Sequence, residues 1–149
     1  MAVIHNEIII NAPISKIWEV LINIEELDKY DPTVKKSTAL SAIKSGIGAK
    51  RKVLMLDGKN WFDEECTVLR KNEELCYELK ACSFPIHNLK HTYRFQENNG
   101  QIKVYQVMEY TVKYGILGKL MDFLIIRKQS DSGIKKFFGG LKNYMENKK

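Results

Sequence analysis

The sequence predicts an α+β domain in which a curved antiparallel sheet lies against one long C-terminal helix. Three observations predict this. The chain opens on a strand-like pattern over residues 3–10 and passes at Pro13 into a short amphipathic helix. Six further strand-like segments follow, joined by turns too short for helical crossovers, which selects antiparallel neighbours. An apolar helical stripe then occupies residues 115–146. In 149 residues this order makes one domain, residues 1–149, able to bury about two thirds of its unfolded surface.

Within residues 3–10 the even-numbered positions Ile4, Ile8 and Ile10 form a mostly apolar face. Asn11 breaks the strand and Pro13 suits a first helical position. Ile14, Ile17, Trp18 and Leu21 then recur on one face of a helix ending near Asn23. A second short helix is expected over residues 25–29, with Ile24, Leu27 and Tyr30 turned to the same core, until Asp31-Pro32 stops it. The remaining strands are expected at residues 34–40, 49–56, 60–69, 75–81, 89–96 and 102–113. Gly46 with Gly48, Asp57-Gly58, residues 71–74 and Asn98-Asn99-Gly100 supply the turn chemistry between them. Residues 82–88 contain Pro85 and read as a loop. In the last helix Leu117, Leu120, Met121, Leu124, Ile134, Phe137, Phe138 and Leu141 keep a 3.6-residue period over about 45 Å. Ser130-Asp131-Ser132-Gly133 predicts a bend near Ser132. Gly139-Gly140 marks either a second break or a close approach to a strand.

The formal charge is +6, and the nine basic and three acidic residues from Thr111 onward account for all of it. A basic helix face in peripheral contact with an anionic membrane is one reading, and an ordinary solvated lysine-rich face is the other. Only four of the 24 basic residues are arginine, and no stretch interleaves aromatic with basic residues, so nucleic-acid binding is not expected. Cys66, Cys76 and Cys82 form neither a disulfide framework nor a C-x-x-C motif, which predicts a reducing, cytoplasmic setting. Neither an export signal nor a membrane span is expected. His5, His87 and His91 lack the spacing of a metal site, and Gly46 and Gly48 lack a nucleotide-loop context. Neither a metal nor a cofactor is expected.

Whether the sheet encloses a packed core or a cavity is the functional question. On residues 89–96 the apolar alternate set is Leu89, His91, Tyr93 and Phe95, and on the last strand it is Val104, Gln106, Met108, Tyr110 and Val112. A dry core replaces such polar members with aliphatics, whereas a cavity uses them to orient a ligand. The other reading is that they are satisfied within the sheet, or that a bulge inverts the phase. Trp61 and Phe62 point to opposite faces of their strand, so at least one meets the interior. Among Asp63, Glu64 and Glu65 one inward carboxylate has room, and desolvation would raise its pKa unless it is paired, which is how a general base could arise. The alternative for these acids is solvent and links to nearby lysines.

Ile8-Ile9-Ile10-Asn11-Ala12-Pro13 through Ile17-Trp18-Glu19-Val20-Leu21 opens a familiar pattern, continued by Leu27-Asp28-Lys29-Tyr30-Asp31-Pro32-Thr33-Val34-Lys35. Gly115-Ile116-Leu117-Gly118-Lys119-Leu120-Met121-Asp122 and Leu141-Lys142-Asn143-Tyr144-Met145-Glu146 complete it. Over essentially its whole length the chain resembles the START-related, birch-pollen-allergen-like (SRPBCC) superfamily, nearest its polyketide cyclase/dehydrase and lipid transport branch. Tyr30 stands where relatives commonly carry tryptophan. The resemblance implies a helix-grip fold: a seven-stranded sheet around the last helix, two short helices after the first strand, and an internal cavity for small hydrophobic molecules. Members range from lipid, sterol or hormone carriers to aromatic polyketide cyclases, and the matched pattern transfers no catalytic residue.

A soluble domain that binds a small hydrophobic or amphipathic molecule is therefore expected, as monomer or homodimer. Its expected ligand-binding residues on the strands are Trp61, Tyr77, His91, Tyr93, Gln106, Met108 and Tyr110. Leu120, Leu124 and Phe138 are their expected partners on the helix. Residues 82–88 and 130–133 are candidate gates. A cyclase- or dehydratase-type enzyme using the cavity histidine, tyrosines or an acid is the alternative, and a protein- or membrane-surface-binding module is a third.

Overall fold

The structure, a computed structural model, describes residues 1–147. Strand β1 (Ala2–Ile10) leads into helices α1 (Ile14–Ile22) and α2 (Leu27–Tyr30). Six strands follow: β2 (Val34–Ala39), β3 (Lys50–Met55), β4 (Trp61–Arg70), β5 (Glu74–Cys82), β6 (Ile86–Asn98) and β7 (Gln101–Val112). They form one seven-stranded antiparallel sheet in the order β1-β7-β6-β5-β4-β3-β2. This is a meander whose last strand returns to the first. The tight turns are built as the sequence predicts, with Gly58 and Gly100 in the left-handed region at φ 71° and 76°.

Helices α1 and α2 close one end of the concave face. Ile17, Trp18 and Leu21 are buried, and the backbone is pinned to the sheet by Tyr77 Oη donating to Leu21 O (2.9 Å) and Ser37 Oγ donating to Ile24 O (2.6 Å). The C-terminal helix runs alongside β1 and in the same direction. Asn6 Nδ2 donates to Asp131 Oδ1 (3.1 Å), Lys142 Nζ to Ile9 O (2.7 Å), and Asn11 N to Glu146 Oε1 (2.9 Å). Ile134, Phe137, Phe138, Leu141 and Met145 are the face it buries.

Three local expectations are corrected. The helix is unbroken through Ser130 and Gly133, and its irregularity lies earlier. There α3 (Gly115–Met121) passes through a π-helical turn at Asp122–Ile126 into α4 (Arg127–Asn147). The wide turn falls where the Tyr110 hydroxyl donates to the Asp122 carboxylate, fixing that turn to the end of β7. The expected loop at residues 82–88 is shorter, because β6 already begins at Ile86. Its irregularity is a bulge between His87 and Lys90, where Asn88 takes φ 54° and absorbs the extra residue. Finally, Gly140 is a close approach, but to the end of α2 rather than to a strand: a Cβ there would lie 2.0 Å from Tyr30 O.

Candidate functional site

The register carries one polar residue from each of five successive strands onto the concave face. Arg51 on β3 pairs with Glu64 on β4, Tyr77 on β5 pairs with His91 on β6, and Gln106 on β7 sits opposite Tyr93 of β6. Arg51, Glu64, Tyr77 and Gln106 are buried and His91 is half-buried. A polar row thus crosses the inside of the sheet beneath the helix.

Arg51 and Glu64 hold the row at one side. Their side chains are 6% and 4% exposed, and Glu64 Oε1 accepts from both Arg51 Nε (2.7 Å) and Arg51 Nη2 (2.5 Å). The guanidinium carbon lies 4.4 Å from the centre of the Tyr77 ring, a cation–π contact that recovers part of the charge's lost hydration. At the other side the Gln106 side-chain amide is hydrogen-bonded to His91 Nδ1 at 2.7 Å, the direction following the imidazole tautomer. Tyr93 extends the row into an aromatic stack, its ring 5.9 Å from Phe137 and 6.5 Å from His91. Two buried atoms of the row find no hydrogen-bond partner among the described residues: Arg51 Nη1 and Gln106 Oε1.

Burial sets the protonation states. It pushes the Tyr30, Tyr77 and Tyr93 phenols above their ordinary values, with Arg51 pulling the other way, so all three stay neutral donors. His91 is lowered, first by desolvation and then by Arg51, against an opposing pull from Glu64. The unfolded chain therefore takes up this proton more readily than the folded one. The stability tied to neutral His91 is complete above about pH 6.5 and is lost as pH falls below it, at up to about 1.4 kcal/mol per pH unit. Urea unfolding at pH 7.5 and 5.5 should show a larger loss for the native chain than for His91→Gln. Equal losses would place the imidazole in water.

The expected site residues divide. Tyr77, His91, Tyr93, Gln106, Met108 and Tyr110 lie on the concave face, with Met108 directly across from His91, and Phe138 is buried opposite them on α4. Trp61 does not join them. It lies on the convex face with Lys52 Nζ 3.9 Å from its ring centre, and Phe62, opposite the fully buried Val53, takes the inner position. Leu120 and Leu124 are exposed, because the sheet ends at Ala2 and Val112 before the helix reaches them. Of the three acids, Glu64 faces inward but is tied to Arg51. Asp63 and Glu65 point outward to Lys52 (3.2 Å) and Lys80 (3.3 Å). Arg51 was missed by sequence reasoning. Its signal was the alternation Arg51, Val53, Met55 inside a lysine-rich strand.

Cys66 and Cys76 are buried free thiols, and burial pushes Cys66 up to about 11, so it is an inert small hydrophobe. No cluster of histidine, cysteine and carboxylate groups that could hold a metal ion occurs among the described residues. Two open surface depressions are present, one of them reaching Gln106 from the other side of the sheet. One, of about 510 Å³, runs between α2 and α4 over Tyr30, Gly140 and Tyr144, and the other, of about 700 Å³, lies over His5, Glu7, Arg94 and Tyr105 on the convex face.

A seven-stranded antiparallel sheet wrapped around a C-terminal helix, with two short helices between its first two strands, defines a helix-grip protein of the SRPBCC/START-like class. The chain belongs to the polyketide cyclase / dehydrase and lipid transport family, whose pattern matches residues 1–146. Among solved structures it is similar to a protein of Thermus thermophilus, at 17% identity and a TM-score of 0.82, with 97% of each chain covered. A START superfamily protein from Mycobacterium smegmatis matches at 11% identity and a TM-score of 0.77, again over 97% of each chain. The Aha1 dimer from Colwellia psychrerythraea matches at 18% identity and a TM-score of 0.72, over 100% of this chain and 99% of that one. Among curated protein sequences none matches. Among the described residues no helix is long and apolar enough to cross a membrane.

Proposed function

We propose that this protein is a single binding domain for a small amphipathic molecule held between the concave sheet and α4. The polar end of that molecule meets Arg51, His91 and Gln106, and its apolar body lies against Phe62, Met108, Phe137 and Phe138. One observation carries this reading: two buried polar atoms, Arg51 Nη1 and Gln106 Oε1, stand unpartnered on the inside of the sheet. Leaving such groups unsatisfied costs about 1–3 kcal/mol each. An acceptor group of the ligand beside Arg51 and a donor group beside Gln106 would relieve them. Each buried methylene then adds about 0.8 kcal/mol, so a ten-carbon tail is enough for useful affinity. We favour binding over catalysis because the inward carboxylate, the natural general base, is neutralised by Arg51.

Isothermal titration with decanol and with decanoate tests the proposal. The native chain should take up one equivalent of at least one of them. Met108→Trp, which sets a bulkier ring directly across from His91, should weaken uptake at least tenfold with an unchanged circular dichroism spectrum. Uptake of neither compound, or undiminished uptake by a folded Met108→Trp variant, sinks the proposal.

A further inference from the structure

Ligand binding between sheet and helix leaves the first third of the C-terminal helix unused. Tyr114, Ile116, Leu117, Leu120, Phe123 and Leu124 are between 55% and 87% exposed, whereas the exposed large apolar side chains elsewhere, such as Leu40, Ile47 and Leu56, belong to strand ends and turns. Scattered exposed leucines need no explanation, but a contiguous set on one short segment does. The segment is anchored rather than loose. Gly118 packs against the Lys113 carbonyl, where a Cβ would lie 1.7 Å from the oxygen, and Asp122 accepts from the Tyr110 hydroxyl. Those contacts use the polar side of the helix. The exposed apolar side chains, with Met121 and Ile125 added, cover most of the remaining arc of the circumference.

The surrounding charge identifies the partner. Lys113, Lys119, Arg127 and Lys128 ring this arc, all exposed and none in an ion pair among the described residues. Asp122 is the sole acid between Tyr110 and Ser130, and it is turned inward. We propose that α3 and the π-helical turn dock onto an anionic lipid surface. The apolar side chains enter the interface and the four cations face the headgroups. A second copy of the chain fits less well, because a two-fold contact would set these cations against their own images. A groove in another protein takes a narrower stripe than this arc.

Flotation with vesicles tests the proposal. The native chain should bind vesicles of phosphatidylcholine with 30% phosphatidylserine at least tenfold better than pure phosphatidylcholine. Raising salt to 0.5 M should weaken that binding. Ile116→Glu with Phe123→Glu should lose at least tenfold, and Lys119→Glu with Lys128→Glu should lose the preference for phosphatidylserine. Both pairs alter exposed side chains, so the unfolding midpoint should stay unchanged. Decanol or decanoate uptake should also stay unchanged, which separates failure here from failure of the ligand site. Equal binding to both vesicle types, no binding to either, or undiminished binding by the Ile116/Phe123 pair overturns the proposal. So does a native dimer that the same pair dissociates without any vesicle binding, which would assign the surface to a second copy.

Discussion

Gly140→Ala is expected to destabilise the fold by about 3 kcal/mol, the upper end of what overpacking usually costs. The identical change at Gly139 should raise stability by up to about 1 kcal/mol. The two glycines are adjacent in α4, and helix propensity treats them alike. What separates them is the opposite wall. A Cβ on Gly140 would lie 2.0 Å from Tyr30 O and 2.8 Å from Pro32 Cδ, so α4 must move away from the end of α2. Gly139 has nothing within 4 Å of such a Cβ, and alanine there only reduces the freedom of the unfolded chain. Chemical denaturation of the two variants decides the matter. If both shift in the same direction, α2 and α4 do not meet as described.

Glu64→Gln is expected to cost about 3–5 kcal/mol, a large share of the roughly 5–15 kcal/mol that stabilises a typical domain. The amide keeps the shape of the carboxylate but leaves the Arg51 guanidinium charged and buried without a counter-charge. Removing both charges behaves differently. Arg51→Met combined with Glu64→Leu should fall within about 1 kcal/mol of the native chain, since a well-packed apolar pair replaces an ion pair whose attraction was largely spent on desolvation. The same double variant should lose affinity for decanol or decanoate. A Glu64→Gln cost under about 1 kcal/mol would mean that water reaches Arg51.

The strands were readable because their alternation reports the sheet directly. His91, Tyr93, Gln106, Met108 and Tyr110 fall on the inner face as the two-residue period requires, since the bulge in β6 lies upstream of His91. Trp61 and Phe62 could not be ordered in the same way. The alternation of β4 is intact there, the register shift beside it being taken up by Lys80 of β5, but with aromatics at both positions only pairing with Val53 fixes which ring faces inward. Arg51 was hidden for a different reason. In a short strand flanked by lysines an arginine reads as surface, and its burial depends on a carboxylate thirteen residues away reaching it across the sheet. The helical period likewise describes a stripe without saying where the sheet beneath it stops. Leu120 and Leu124 thus share a pattern with Phe138 but not its surroundings.

Tyr110 belongs to two structures at once. Its ring is part of the inner wall and its hydroxyl is the tether of the overhanging helical turn. A guest that displaces the ring must break the tether, and a bilayer that draws the turn outward must pull on the ring. On the two proposals made above, cargo and docking would be mechanically linked through a single phenol, the arrangement that loading or unloading at a membrane would require.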